Sequence, residues 1–182
     1  MGRILARSRG EPRRMAARWI LRSTLWLREP PQTVFPFFAD AFNLEQITPP
    51  FLRFRVLTQR PIAMQVGTLI DYRLRIHSVP VSWRTHINEW QPPHCFADEQ
   101  LRGPYSKWYH RHTFEERDGG TLARDEVTMT PRGGILAPLV MRWFVERDVR
   151  AIFAYRAKVL CDRFGGDASS QQVEFVRNDS VA

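Results

Sequence analysis

Polar and apolar residues alternate with period two through the middle of the chain and switch to a period near 3.6 toward its end. Residues 68–77 (TLIDYRLRIH) put Ile70, Tyr72, Leu74 and Ile76 on one face and Asp71, Arg73 and Arg75 on the other. Residues 81–90 return with Val81, Trp83, Thr85 and Ile87 on one face. Strands are predicted next over 95–101, around Trp108 and over 121–130, after turns at Pro92-Pro93, Gly103-Pro104 and Asp118-Gly119-Gly120. Connections this short predict an antiparallel meander.

The flanks follow other rules. Residues 18–28 (RWILRSTLWLR) form a strand candidate that Pro30-Pro31 ends. Pro31 suits the first turn of a helix carrying Val34, Phe35, Phe37 and Phe38. Asp40 is a cap candidate for a second helix over 41–47, which Pro49-Pro50 stops before a strand over 52–57. Beyond Pro131-Arg132-Gly133-Gly134, helical spacing takes over: Leu139, Val140, Trp143, Phe144, Val149, Ile152, Phe153, Arg156, Val159 and Leu160. A helix over 135–164 would be about 45 Å long, with Glu146 and Arg150 spaced as an i,i+4 ion pair and Gly165-Gly166 as its stop. The expectation is an α+β fold: a curved antiparallel sheet of about six to seven strands wrapped around a long C-terminal helix, with two short helices after the first strand. A helix with one broad apolar side buries it by lying across the concave face of such a sheet.

The segment 103–114 (GPYSKWYHRHTF) changes the picture most. Trp108, His110, His112 and Phe114 share one strand face, apolar at both ends with two imidazoles between. A closed core does not need the imidazoles, and a solvent face does not spend a Trp and a Phe. The face therefore predicts the wall of a concave, partly polar interior.

Composition narrows the classes. The chain has 182 residues and a formal net charge of +8, with Arg far outnumbering Lys. Five Arg against one Glu fall in residues 1–14, and the remaining basicity is spread rather than clustered, so no nucleic-acid partner is expected. The division expected is a disordered or spurious extension over 1–14 (with Met15 as an alternative start), one domain over 15–164, and a disordered tail over 165–182. Cys95 and Cys161 have neither redox nor metal spacing. No stretch has the makings of a signal peptide or a bilayer span, so a cytoplasmic protein is expected.

Several motifs together carry a resemblance. They are Phe37-Phe38-Ala39-Asp40 with Asn43-Leu44 and Ile47-Thr48-Pro49-Pro50, Gly67-Thr68-Leu69-Ile70-Asp71-Tyr72, Trp83-Arg84-Thr85 and Trp90-Gln91-Pro92-Pro93. Phe96-Ala97-Asp98-Glu99-Gln100, the 103–114 segment and Phe153-Ala154-Tyr155-Arg156 complete the set. Over residues 18–164 the chain resembles the bacterial SRPBCC superfamily of START-like, polyketide cyclase/dehydrase-like and coenzyme Q-binding proteins. The resemblance implies a helix-grip fold and a ligand cavity. It implies no reaction and no set of catalytic residues.

Three chemistries compete for that cavity. In the first, a small hydrophobic ligand (lipid, quinone or polyketide-like) is bound by Tyr72, Trp83, Trp108, His110, His112, Phe114, Phe144, Phe153 and Arg156. In the second, a cofactor-independent cyclase or dehydratase uses His110 or His112 as general base, with Tyr105 or Arg156 polarising a carbonyl. In the third, His110 and His112 share a metal with His86 or His94; no carboxylate stands at a recognisable spacing, so neither a metal nor another cofactor is expected. Asp98, Glu99 and Asp125 are expected in outer-face pairs with Arg84, Arg102, Arg111 and Arg124, although one of Asp98 and Glu99 must point inward. The apolar stretches 47–51 and 135–141 are candidates for transient membrane-surface contact. The pattern leaves the oligomeric state open.

Overall fold

The computed structural model describes residues 18–132 and 137–178. The expected extension over 1–14 and the alternative start lie outside them. Strand β1 (Arg18–Leu27) leads to helix α1 (Pro31–Ala39), which Pro31 starts, and through a 3₁₀ turn to the short helix α2 (Leu44–Ile47). Asp40 caps that turn, its Oδ1 accepting from the Phe42 backbone N–H at 2.9 Å. The strand expected over 52–57 shrinks to β2 (Arg55–Val56), because Pro50–Leu52 forms a 3₁₀ turn and Arg53 takes a left-handed conformation.

The meander follows as β3 (Leu69–Ile76), β4 (Val79–Gln91), β5 (Cys95–Arg102), β6 (Tyr105–Arg117) and β7 (Gly120–Pro131). The turn between β3 and β4 is made by His77 and Ser78, both at positive φ, two residues earlier than Val79-Pro80 suggests. Asp118 and Gly119, also at positive φ, close the β6–β7 hairpin as a right-twisted sheet requires. Register shifts between Ile87 and Glu89 in β4, and between Tyr105 and Lys107 in β6, bend the long strands.

The C-terminal helix comes in two pieces. Helix α3 (Ala137–Val140) passes through a π-helical turn over Met141–Val145 into α4 (Glu146–Phe164). Val149, Phe153, Ala157, Leu160 and Phe164 are buried along α4, and one charged residue, Arg156, is buried with them. Glu146 and Arg150 pair at 2.9 Å, and Gly165 at φ 71° ends the helix.

The tail corrects one expectation. Residues 172–178 are not disordered: β8 (Gln172–Asn178) pairs antiparallel with β1 and completes an eight-stranded sheet in the order β2-β3-β4-β5-β6-β7-β1-β8. Its polar sequence hides two inward residues, Val173 and Phe175, which pack against a buried cluster of Trp19, Leu21, Val127, Met129, Val149 and Phe153. Arg150 also donates to the Val173 carbonyl at 3.1 Å, tying the strand to the helix.

The sheet, α4 and the short helices divide the interior. Phe35, Phe37, Phe96, Phe114, Leu160 and Phe164 fill one end densely. Trp19, Met129 and Phe153 fill the flank nearest β1. Between them the concave face stays open. Truncation after Asp167 removes β8 and bares the β1 edge; the thermal midpoint is expected to fall by several degrees, at about 2–4 °C per kcal/mol for a chain this size, and aggregation to rise. Calorimetry and light scattering check both, and an unchanged midpoint would refute a packing role for the strand.

Candidate functional site

A cavity of about 460 Å³ opens between the concave face of the sheet, helices α1 and α2, and α3–α4. Its walls come from the inward faces read in the sequence. Ile70, Tyr72, Leu74 and Ile76 project from β3, Trp83, Thr85 and Ile87 from β4, and Trp108, His110 and His112 from β6. Trp83 meets Trp108 edge-on at 5.4 Å and donates its indole N–H to Thr85 Oγ1 at 3.1 Å, so this bulky wall has its polar atom satisfied. Tyr105 adjoins Trp108 at 4.8 Å between ring centres. Burial pushes the Tyr105 and Tyr72 hydroxyls up, away from ionisation.

Seven of the nine expected ligand-binding residues border this space: Tyr72, Trp83, Trp108, His110, His112, Phe144 and Arg156. Phe114 does not. It is locked in the end core against Phe35 at 5.5 Å and Phe38 at 4.9 Å. Phe153 is also withdrawn into core, 2% exposed among Trp19, Met129 and Met141. Phe144 stands at the mouth, 54% exposed, with its edge on His77 at 5.8 Å. His77 Nε2 reaches Asp148 Oδ2 at 2.9 Å, so the β3–β4 turn touches α4 across the opening. Of the stretches read as membrane-facing, Phe51, Leu139 and Val140 are exposed, whereas Ile47 and Met141 are buried.

The polar floor departs most from expectation. Asp98 and Asp125 are not outer-face residues. In the sheet register Asp98 lies opposite His110, and Asp125 lies opposite His112. Asp125 shares its strand face with Ala123, Val127 and Met129, a period-two signal already present in the sequence. The outer face instead carries Arg84–Asp71, Arg111–Glu89 and Arg124–Glu115 pairs. Glu99 turns away from the cavity and lies 3.5 Å from His86 Nδ1. His94 sits exposed in the β4–β5 turn. Neither His86 nor His94 joins the cluster.

Asp125 Oδ1 lies 2.6 Å from His112 Nδ1, 3.1 Å from His110 Nε2 and 3.7 Å from Arg156 Nη1. Although burial alone would raise its pKa, the two imidazoles hold the Asp125 carboxyl well below the usual range. An ionised carboxylate only accepts, so both rings donate to it. That fixes the tautomers and leaves a lone pair on His110 Nδ1 and on His112 Nε2. Burial, reinforced by the neighbouring His112, pushes His110 down to about 4, and burial lowers His112 as well. Asp98 runs the other way, pushed up to about 6 by burial against the opposing pull of His110 and Arg156. Arg156, 8% exposed, has no hydrogen-bond acceptor for Nε or Nη1 among the described residues.

The shifts set a pH dependence. Between pH 6.5 and 4 an unfolded chain takes up a proton on His110 that the folded protein refuses, and the lowered His112 acts in the same sense below 6.5, so acid removes stability. Asp98 opposes this: the folded state protonates it near 6 and the unfolded chain near 3.8, so across that window it favours folding as pH falls. Asp98→Asn removes the opposition. In chelator-containing buffer the variant is expected to be more stable than wild type at pH 7.5, by on the order of 1–3 kcal/mol, and to lose stability more steeply below pH 6.5. Urea unfolding across pH 4–8 checks it, and parallel curves for the two proteins would contradict it.

Comparison with known proteins agrees with this fold. The family model described as polyketide cyclase / dehydrase and lipid transport matches residues 28–156. The fold is similar to that of TTHA0849 from Thermus thermophilus, at TM-score 0.61 and 17% identity over 80% of this chain and 96% of that one. It is similar also to the Zhui aromatase/cyclase from a Streptomyces species, at TM-score 0.64 and 17% identity over 80% and 93% of the two chains. A START superfamily protein from Mycobacterium smegmatis matches at TM-score 0.57 and 15% identity, over 80% and 97%. No curated protein matches the sequence. The family match runs from the end of β1 into α4 and takes in the cavity walls, and the chain belongs to the polyketide cyclase / dehydrase and lipid transport family, of the SRPBCC type.

Proposed function

We propose that the protein binds one small, largely hydrophobic molecule in the cavity, with an oxygen-bearing end directed at Arg156. The observation that carries this reading is Arg156 itself. A guanidinium that is nine-tenths buried and lacks acceptors for two of its nitrogens is costly. An acceptor oxygen entering from the cavity offsets that cost. The walls supply the rest: Ile70, Tyr72, Leu74, Trp83 and Trp108 accept an apolar body, and about 460 Å³ suits a lipid, quinone or polyketide-like molecule of modest size.

A second reading is acid–base cyclisation or dehydration of a polyketide-like carbonyl compound, the kind of activity that the name of the Streptomyces neighbour carries. The 2.6 Å Asp125–His112 contact favours it. Held by Asp125, His112 presents Nε2 as a base for a proton α to a carbonyl, while Arg156 receives the developing enolate oxygen. His110 stands farther from Asp125, at 3.1 Å, and burial pushes it down to about 4.

Two experiments separate the readings. The first titrates the protein with 2-acetylnaphthalene and with 2-isopropylnaphthalene, which lacks the carbonyl. Arg156→Gln is expected to weaken the ketone by roughly 10-fold or more, the worth of a hydrogen bond to a charged group, and to leave the hydrocarbon unchanged. Leu74→Trp, which fills the wall, is expected to weaken both. Failure of both probes to bind wild type would end the binding proposal. The second follows loss of enol absorbance from a 1,3-diketone probe. If the site is catalytic, His112→Gln slows turnover by ~10²-fold or more with probe affinity retained. Equal rates in wild type and variant would rule the catalytic reading out.

A further inference from the structure

We propose that Asp98, His110 and His112 form a binding site for one divalent first-row transition metal ion, of the Zn²⁺ or Fe²⁺ class, on the floor of the cavity. One ligand atom from each of the three residues lies within 4.8 Å of the others. All three side chains border the open space, so a bound ion keeps coordination positions free toward it. Two imidazoles and one carboxylate with open positions are a donor set suited to those metals.

The orientation of the rings is the stronger argument. A histidine ligand must offer a lone pair, and in metal sites its other nitrogen commonly donates to a carboxylate. Asp125 fills that role for both rings at once, taking His112 Nδ1–H at 2.6 Å and His110 Nε2–H at 3.1 Å. His112 Nε2 is thereby left unprotonated, 4.0 Å from Asp98 Oδ2. Two metal–ligand bonds of ~2.1 Å at the tetrahedral angle set their ligand atoms ~3.4 Å apart. Asp98 therefore needs to move inward by roughly 1 Å to close a tetrahedral arrangement, a shift within reach of one side-chain rotation.

Charge points the same way. Arg156 stands 3.7 Å from Asp125 and compensates it. Asp98 is less closely matched: its carboxylate accepts no hydrogen bond among the described residues, Arg156 and His110 act on it only at longer range, and the nearest basic nitrogen is His112 Nε2 at 4.0 Å. The floor thus holds a carboxylate with no hydrogen-bond donor and no cation in contact among the described residues, beside the lone pair of His112 Nε2. A divalent cation supplies what that carboxylate lacks. The site does not depend on the hydrophobic ligand, although an oxygen of that ligand would meet both the ion and Arg156.

The test uses the full chain, stripped with chelator and dialysed. Calorimetric titration with Zn²⁺ is expected to give one ion per chain with micromolar affinity or tighter, and Co²⁺ to give visible absorption bands of a nitrogen- and oxygen-ligated ion. Asp98→Asn and His112→Gln are expected to abolish this binding. Asp125→Asn is expected to weaken it by ~10–100-fold through loss of ring orientation. His86→Gln and His94→Gln should retain it. Should a variant fold poorly, wild type still decides the matter, because Zn²⁺ must shift the ¹⁵N resonances of His110 Nδ1 and His112 Nε2. Absence of Zn²⁺ binding, unmoved resonances, or binding that survives in folded Asp98→Asn would overturn the proposal. Hydrophobic probes that still bind the metal-free protein would leave the cavity reading standing.

Discussion

The buried charge of Asp125 organises the interior. A carboxylate away from water must be met by donors. Here His110, His112 and Arg156 converge on it from β6 and α4. That requirement sets the tautomers of both histidines, ties the helix to the sheet at mid-length, and leaves Arg156 with hydrogen-bonding capacity directed at the cavity. Asp98 is left as a second acid, pushed up by burial against the longer-range pull of His110 and Arg156. Every chemical reading of the site follows from how this one charge is satisfied.

The cavity itself is a consequence of sheet geometry. Strands as long as β4, β6 and β7 curl, and register shifts in β4 and β6 sharpen the bend. Helix α4 seals the hollow where large side chains meet it: Phe164 at one end, and Phe153 on the β1 flank. Between Phe153 and Leu160 its stripe carries Arg156 and Ala157 instead of a large apolar residue. The π-helical turn at Met141–Val145 sets the approach of the helix to the mouth, where Phe144 and Asp148 meet His77. Apolar walls, a floor of acidic and basic groups and an opening beside the β3–β4 turn make a chamber of about 460 Å³.

Much of this was legible in the residues. Period two placed Tyr72, Trp83, Trp108, His110 and His112 on inward faces, and all five border the cavity. The same rule put Phe114, and helical spacing put Phe153, in the lining, but both belong to the plugs, since a periodic face does not mark where along its length packing closes. Asp125 was misplaced because alternating charges around it in β7 resemble an outer face, although Ala123, Val127 and Met129 share its side. β8 was missed because a seven-residue polar strand at the edge of a sheet needs only two apolar residues, and Val173 and Phe175 are too few to stand out.

The sequence by itself determined the class of fold, the order of elements and the face each central strand turns inward, because alternation, turn residues and helical spacing are local properties of a chain. Tertiary structure decided which inward residues become neighbours. Antiparallel register set Asp98 against His110 and Asp125 against His112, and the docking of α4 brought Arg156 to Asp125. Those contacts join residues distant in the chain, so no local pattern encodes them; they exist once the sheet has closed around the helix.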